Sequence, residues 1–83
     1  MNFAVTWTAN AENRLANLWI GSRIASQITK VADHLDRILA VNPTDIGESR
    51  EGSLRIAFQA PLAINYFVEE FPQRVVIVDV WLI

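Results

Sequence analysis

Three β-patterned segments, separated only by short turns, occupy the chain after Gly52. In the first two, residues 54–59 and 62–69, apolar and polar side chains alternate, which is typical of strands with one buried face. The third, residues 74–83, is so rich in Val and Ile that both of its faces are apolar. That pattern suits a central strand covered on both sides, or a strand with one face covered by a partner. The last third of the chain is therefore predicted to build a sheet.

Alternation within these segments assigns side chains to faces. The first strand is expected to turn Leu54, Ile56 and Phe58 to the core and Arg55, Ala57 and Gln59 to a more open face. In the second strand Tyr66 falls on the apolar side, so it is predicted to be a core residue with its hydroxyl satisfied at the edge. Phe67 falls on the opposite side of that strand.

The residues before the sheet predict one further strand and two helices. Residues 3–8 alternate as a strand, and a helix follows from near Ala9, with Thr8 or Asn10 as its N-cap. A second helix follows Gly21-Ser22 and has the most regular periodicity in the chain, with spacings of four, three, four and three among Ile24, Ile28, Val31, Leu35 and Ile38. Pro43 ends this helix, and residues 44–52 are predicted to form a loop.

The predicted order β-α-α-β-β-β defines an α+β fold. Because two consecutive helices with a short linker form a hairpin, we expect that hairpin to pack on one face of a small, largely antiparallel four-stranded sheet. The other face is left open, and Phe67 and Trp81 are candidates for it. Residues 1–83 are too few for two separate cores, so they are predicted to form a single domain.

Composition indicates a chain that needs a partner. The sequence is 52% hydrophobic, with three Trp and four Phe, which argues against disorder. Because a domain of this size encloses only a small core, surplus apolar surface is expected to stay exposed or to be covered by another protein. The net charge of −2 and the pI of about 5.2 disfavour general nucleic-acid binding, since that affinity comes largely from Lys and Arg.

Several classes of protein and site are excluded by residue usage. The chain has no cysteine, so a disulfide, a thiolate metal site and a thiol nucleophile are all ruled out. No group of His, Asp and Glu has the spacing of metal ligands, and neither a metal nor a cofactor is predicted. Residues 1–6 lack the features of a signal peptide, and no apolar run reaches the roughly 18–20 residues that cross a bilayer. We therefore expect a cytoplasmic protein that is neither exported nor held in a membrane.

The order and spacing of several local features resemble the RelE/ParE superfamily, the toxins of bacterial type II toxin–antitoxin modules. These features are the opening strand that ends in Trp7-Thr8, the Asn42-Pro43 pair after the second helix, Gly47 in the loop, Gly52 followed by Arg55, and Pro61 leading to Tyr66 and a Val-rich last strand. The resemblance covers essentially the whole chain. It implies the β-α-α-β-β-β fold of that superfamily and an antitoxin as partner.

For RelE-like members the resemblance implies cleavage of messenger RNA on the ribosome by basic and polar side chains on the open face of the sheet. Arg55 and Arg50 match basic positions of that set, and they are the candidate catalytic residues. Ala63 stands where such nucleases carry an arginine, and the segment Trp81-Leu82-Ile83 stands where they carry a C-terminal His, Arg or Tyr. Most of the catalytic set is therefore missing, which leaves enzymatic activity open.

ParE-like members inhibit DNA gyrase by binding it, and this requires no acid–base residues. Both branches share antitoxin binding, in which a partner segment covers apolar and basic surface of the toxin. The candidate contact residues in this chain are Phe67, Asp79 and Trp81. Asp79 also has structural alternatives, because it could pair with Arg74 or Arg55, or protect an exposed strand against edge-to-edge aggregation.

Two functions stay open at the level of sequence. The first is a toxin that is neutralised by a cognate antitoxin and acts on ribosome-bound messenger RNA or on gyrase. The second is a catalytically degenerate binding module that keeps the fold and a partner surface but has no toxic activity. A homo-oligomer is compatible with both, and the sequence does not choose between the two cellular targets.

Overall fold

A computed structural model of the chain describes residues 2–83. Two helices and five strands follow one another in the order β1 (Ala4–Trp7), α1 (Ala9–Trp19), α2 (Ala25–Val41), β2 (Glu48–Ser49), β3 (Leu54–Gln59), β4 (Leu62–Glu69) and β5 (Arg74–Leu82). The predicted α+β class and the helical hairpin on one face of the sheet are confirmed. Met1, the first residue of the domain predicted over 1–83, lies outside the described residues.

The sheet has five strands in the order β1-β5-β4-β3-β2, not the four that the sequence predicted. The additional strand, β2, lies inside the segment predicted as a loop, where Glu48 and Ser49 pair with Ile56 and Arg55. A two-residue strand is too short to show an alternating pattern, so it leaves no periodicity in the sequence. Three of the pairings are antiparallel, but β1 runs parallel to β5, and the sheet is therefore mixed.

Both helices begin and end close to where their sequence signals predicted. The Thr8 hydroxyl caps α1 by accepting a hydrogen bond from the backbone N–H of Ala11 at 3.1 Å, which satisfies one of the otherwise unpaired donors of the first turn. Helix α2 begins at Ala25, and its C-cap is Asn42, directly before Pro43. No helix within residues 2–83 is both long and apolar enough to cross a membrane.

The hydrophobic core lies between the helical hairpin and one face of the sheet, which we call the helix side. Its largest fully buried side chains come from α2 and from strands β4 and β5; they are Ile28, Leu35, Leu39, Leu62, Ile64, Tyr66, Val75, Ile77 and Val80. Each buried Leu, Ile or Val contributes about 1.5–3 kcal/mol relative to the same side chain in water. Tyr66 is confirmed as a core residue.

The opposite face of the sheet, which we call the reverse face, carries no helix. Its positions follow from the strand register and include Leu54, Ile56, Phe58, Ala63, Asn65, Phe67, Val76 and Trp81. Phe58 is 56% exposed, and Phe67 and Trp81 are half-buried. The prediction that Phe67 and Trp81 lie on the open face is confirmed.

The faces predicted for β3 were wrong. Arg55 pairs with Tyr66 and Ala57 pairs with Ile64, so Arg55 and Ala57 lie on the helix side. The larger apolar residues of β3 lie on the reverse face instead. A physical reason is the loop at Gly47, where an added Cβ would stand 3.0 Å from the Cβ of Ala57. That close approach leaves room for alanine but not for a bulky side chain.

A bulge in β5 explains why that strand looked apolar on both faces. Asn65 is opposite Asp79, but the next residue of β4, Tyr66, is opposite Ile77, so Val78 is an extra residue. Helix-side positions therefore fall at Val75 and Ile77 before the bulge and at Val80 and Leu82 after it. A strand that shifts its alternation once along its length cannot be assigned to faces by a period of two.

Candidate functional site

Arg55 is held by the loop that precedes β2. Its Nη2 lies 2.9 Å from the carbonyl oxygen of Thr44 and 3.2 Å from that of Gly47, and 3.5 Å from that of Ile46. Its Nε donates to the hydroxyl of Tyr66 at 3.3 Å. Among the salt bridges of residues 2–83, none joins Arg55 to the nearby carboxylates of Glu48 or Glu51. Since most of its donors already have acceptors, the guanidinium fastens the loop to the sheet.

The Tyr66 hydroxyl completes this contact from the buried side. Its oxygen lies 2.8 Å from the carbonyl oxygen of Pro43 and 2.6 Å from that of Ile46, while it accepts from Arg55. A hydroxyl has one proton, so it donates to one of these carbonyls at a time. Burial raises the pKa of Tyr66 above its usual value, and the hydrogen bond and charge of Arg55 act in the opposite direction. The hydroxyl is therefore a neutral structural group at physiological pH.

Gly47 allows the same loop to approach β3. Its φ of +75° lies in the left-handed region, and an added Cβ would be in hard contact with the carbonyl oxygen of Ile56. Only glycine meets both conditions without strain. Hydrogen bonds thus join the loop, Arg55 and Tyr66 into one unit that follows the C-terminus of α2.

Arg50, the second candidate catalytic residue, lies in a different environment. Its backbone N–H donates to the Leu54 carbonyl at 2.8 Å, which closes the turn between β2 and β3. The residue is exposed, and within residues 2–83 its side chain makes no hydrogen bond or ion pair. Of the two arginines, Arg50 is the one with a guanidinium available to a ligand. The catalytic role assigned to both stays a prediction.

The reverse face is the surface on which the sequence placed the active site, and it is mainly apolar. Phe58 and Trp81 flank Ala63 in one row across three strands, and Leu54 and Val76 flank Phe67 in another. At the strand positions of this face that the structure describes, the one Lys or Arg is Arg74, whose guanidinium pairs with Glu69 at 2.8 Å. Affinity for phosphate groups comes largely from Lys and Arg, and the described strand positions of this face offer no unpaired one.

Asp79, the third predicted contact residue, is turned to α1. Its Oδ1 lies 2.8 Å from the Nε of Arg14, and it also accepts from the backbone N–H of Val80 at 2.9 Å. The same stretch of β5 extends beyond β1, and Asn10 and Arg14 donate to its carbonyl groups at Val78 and Val80. Asp79 therefore pairs with Arg14 and with neither Arg74 nor Arg55. Its ion pair helps α1 to cover the edge of β5 that β1 leaves unpaired.

Several solved structures superpose on nearly the whole chain, and three of them are described here. A chain of the toxin–antitoxin complex RelBE2 from Mycobacterium tuberculosis superposes with a TM-score of 0.82 at 20% identity, over 100% of this chain and 93% of that one. A chain of the chromosomal ParDE toxin–antitoxin system of P. aeruginosa gives 0.75 at 15% identity, over 98% and 96%. A chain of the archaeal RelE–RelB complex of Pyrococcus horikoshii OT3 gives 0.58 at 15% identity, over 99% and 96%.

The chain has the RelE/ParE fold. The resemblance stated from the sequence is thereby confirmed for the architecture, and the mixed five-stranded sheet replaces the four strands expected. No protein-family model matches the chain, and no curated protein matches it. Identities of 15–20% leave the side chains of the site free to differ, so residue roles must be argued from the geometry of this chain.

One surface of this RelE/ParE fold was missed by the sequence analysis. A groove of about 600 Å³ runs between α1 and α2; we call it the helical groove. Its apolar lining includes Leu15, Trp19, Ile20, Ile28 and Ala32, with Glu12 and Asp33 also in contact with it. The sequence did contain a signal, because two large apolar residues, Trp19 and Ile20, stand at the end of α1 directly before Gly21.

Proposed function

We propose that this chain is the toxin-type component of a bacterial toxin–antitoxin module and is neutralised by binding an antitoxin. The observation that carries the proposal is the likeness to chains of three toxin–antitoxin complexes, which spans 98–100% of this chain. Exposed apolar surface supports it independently, since two separate areas, the helical groove and the reverse face, present large apolar side chains to solvent. Surfaces of this kind mark sites of protein association.

We further propose that the chain acts by protein contact, in the manner that the ParE resemblance implies for gyrase, and not by cutting RNA. Cleavage of an RNA strand requires cationic donors aimed at the phosphate and groups that move protons. The reverse face has no available Lys or Arg at its described strand positions, and Arg55 is occupied by backbone carbonyls on the other side of the sheet. A net charge of −2 weakens attraction to RNA further.

A second candidate function is a binding module that keeps the fold and an antitoxin-like partner but has no toxic activity. The contacts of Arg55 favour it, because the residue that best matches the catalytic set holds a loop in place. This candidate and the first share the partner surface. They differ only in whether the free chain harms the cell.

The proposal predicts that a short gene next to that of this chain encodes the antitoxin. Expression of the chain alone in a bacterial host, with and without the product of such a gene, tests the proposal. We expect growth arrest that co-expression relieves, loss of supercoiling by purified gyrase, and intact messenger RNA in primer-extension assays. Cleaved messenger RNA would refute action by protein contact. Unaffected growth, with folded protein verified by circular dichroism, would establish the non-toxic module instead.

The two arginines provide a matched pair of variants within that experiment. Arg55→Ala removes the donor that fastens the loop, so we expect a loss of about 1–2 kcal/mol in the free energy of unfolding. Arg50→Ala should leave stability within about 0.5 kcal/mol because its side chain is exposed and unbonded in the described structure. Reduced toxicity of Arg50→Ala at unchanged stability would assign Arg50 to the contact with the target. Unchanged toxicity would remove it from that site.

A further inference from the structure

The edge of β5 beyond β1 is the longest open run of strand at the margin of the sheet within residues 2–83. β1 pairs with β5 at residues 74–77, and β5 continues to Leu82, so residues 78–82 have no strand on that side. The outermost strands, β1 and β2, have only four and two residues. A long open edge offers its backbone groups to another strand, whereas a short edge strand offers few. Strand addition is therefore most favourable at residues 78–82.

Three side chains, those of Asn10, Arg14 and Asp79, bond the backbone groups of this edge; we call them the edge cap. The Asn10 amide donates to the Val78 carbonyl at 3.2 Å, and Nε of Arg14 donates to the Val80 carbonyl at 3.3 Å. The Val80 N–H donates to Oδ1 of Asp79 at 2.9 Å. Arg14 and Asp79 also form an ion pair at 2.8 Å. The edge cap thus supplies the hydrogen bonds that a neighbouring strand would otherwise make.

The edge cap lies at the surface and is separate from the hydrophobic core. Asn10 is exposed, and the side chains of Arg14 and Asp79 are 52% and 34% exposed. An ion pair between groups this exposed contributes little to stability. Removal of the edge cap should therefore leave the fold intact while it frees backbone groups at the edge of the sheet.

The composition of this edge suits a second copy of the same strand. Residues 75–83 are all apolar except Asp79, and they include no Pro or Gly. Segments with high β-propensity and little charge pair readily with identical segments. Antiparallel pairing about a two-fold axis at Val80 would place Asp79 opposite Trp81, so the two Asp79 carboxylates would not face each other.

We propose that residues 78–82 of β5 form a strand-pairing surface for a second copy of this chain, and that the edge cap keeps this surface closed. The free protein therefore does not dimerise through this edge, although β5 is apolar on both faces. Loss of the edge cap joins two sheets into one through antiparallel β5 strands. The inference does not depend on the proposed function, because it concerns contact between identical copies.

Asn10→Ala/Arg14→Ala/Asp79→Ala tests the inference by removing the edge cap. The net charge stays at −2, because one positive and one negative charge are lost, so a change in overall charge repulsion cannot cause association. We expect sedimentation equilibrium to give 9.4 kDa for the wild type. At the same concentration the triple variant should approach twice that mass.

Asn17→Ala/Arg23→Ala/Asp45→Ala is the matched control. It removes the same three residue types at exposed positions outside the edge cap, and it should keep the mass of the wild type. Asn10→Ala/Arg14→Ala leaves β5 unchanged and replaces the triple variant if that variant does not fold. It should dimerise too, at a higher concentration, because Asp79 still bonds the edge. Circular dichroism and thermal unfolding verify the fold of each variant.

Leu82→Pro, added to the triple variant, tests where the two copies meet. The Ile83 N–H donates to the Pro61 carbonyl at 3.0 Å, next to β4, so the alternating backbone directs the N–H of Leu82 to the open edge. Proline at that position has no N–H to donate, and proline at an open edge discourages strand addition. We expect the monomer to return.

Four results of these measurements decide the inference. Dimerisation of the triple variant that Leu82→Pro reverses would support it. A folded triple variant that stays monomeric at every concentration would refute the strand-pairing surface. A dimer that persists after Leu82→Pro, or that the matched control forms equally well, would place the contact elsewhere and overturn the proposal. A wild-type dimer that Leu82→Pro dissociates would show that the edge cap does not close the edge.

Discussion

The two faces of the sheet differ in what their polar groups do. On the helix side, the polar groups of Arg55 and Tyr66 are bonded to backbone carbonyls and to each other, and they hold the loop that ends at Gly47. On the reverse face, apolar side chains such as Phe58 meet water directly. The comparison teaches that the partners of an arginine show its role in the fold: Arg55 holds a loop, and its catalytic role stays a prediction.

A pair of truncations gives the largest expected difference between the faces. Ile64 is fully buried on the helix side, so Ile64→Ala should lower the free energy of unfolding by about 2–5 kcal/mol through lost burial and a cavity. Phe58, on the neighbouring strand, faces the reverse side and should cost about 1 kcal/mol when changed to alanine, because half of its surface is already in water. Denaturant titration of both variants measures the contrast. Similar losses for the two would mean that the reverse face is also part of the core.

Glycine substitutions probe the loop on the helix side. In Gly47→Ala the added Cβ meets the Ile56 carbonyl and the positive φ strains the backbone, so we expect a loss of about 2–4 kcal/mol. Gly52→Ala is the matched control, because Gly52 also has a positive φ but an added Cβ there contacts nothing within 4 Å. Its expected loss is about 1 kcal/mol. Equal unfolding free energies for the two variants would show that the close approach at Gly47 contributes nothing.

The ionisation of Tyr66 gives the smallest and most specific effect. It is the one tyrosine in the sequence, so tyrosinate absorbance near 295 nm reports this residue alone. Burial raises the pKa of Tyr66 above the usual tyrosine value of 10.0, and the folded protein should therefore titrate with a midpoint above that value. The unfolded chain loses its proton first, so stability should fall as pH rises past about 10. A folded-state midpoint at or below 10.0 would contradict the buried environment of the hydroxyl.

Strong local periodicity made part of this fold predictable. The repeat in α2 and the boundaries of β4 follow directly from side-chain spacing, and the Thr8 cap follows from residue type. The faces of β3 could not be predicted from spacing, because both sides of the strand contain apolar residues. The pattern favoured the side with the larger residues as the core face, which was wrong. The helix side instead takes Ala57, because the loop at Gly47 comes too close there for a larger side chain.

The candidate site was less predictable than the fold for a related reason. The partners of Arg55 are backbone carbonyls of residues 44–47, and every residue type carries a carbonyl. A sequence therefore gives no sign that such a contact will form. The helical groove left only one signal in the sequence, the pair Trp19-Ile20 before Gly21, since its shape depends on how α1 and α2 pack and not on the apolar pattern of either helix alone.

The parallel pairing of the first strand with the last has a consequence for synthesis on the ribosome. Ala4 pairs with Arg74, 70 residues later, and β1 has no other neighbour in the sheet. During translation β1 cannot pair until β5 has emerged. Closing a loop of that length costs conformational entropy before the strand pairing can stabilise the fold. A protein that recognises the finished sheet would thus bind only after β5 has emerged from the ribosome.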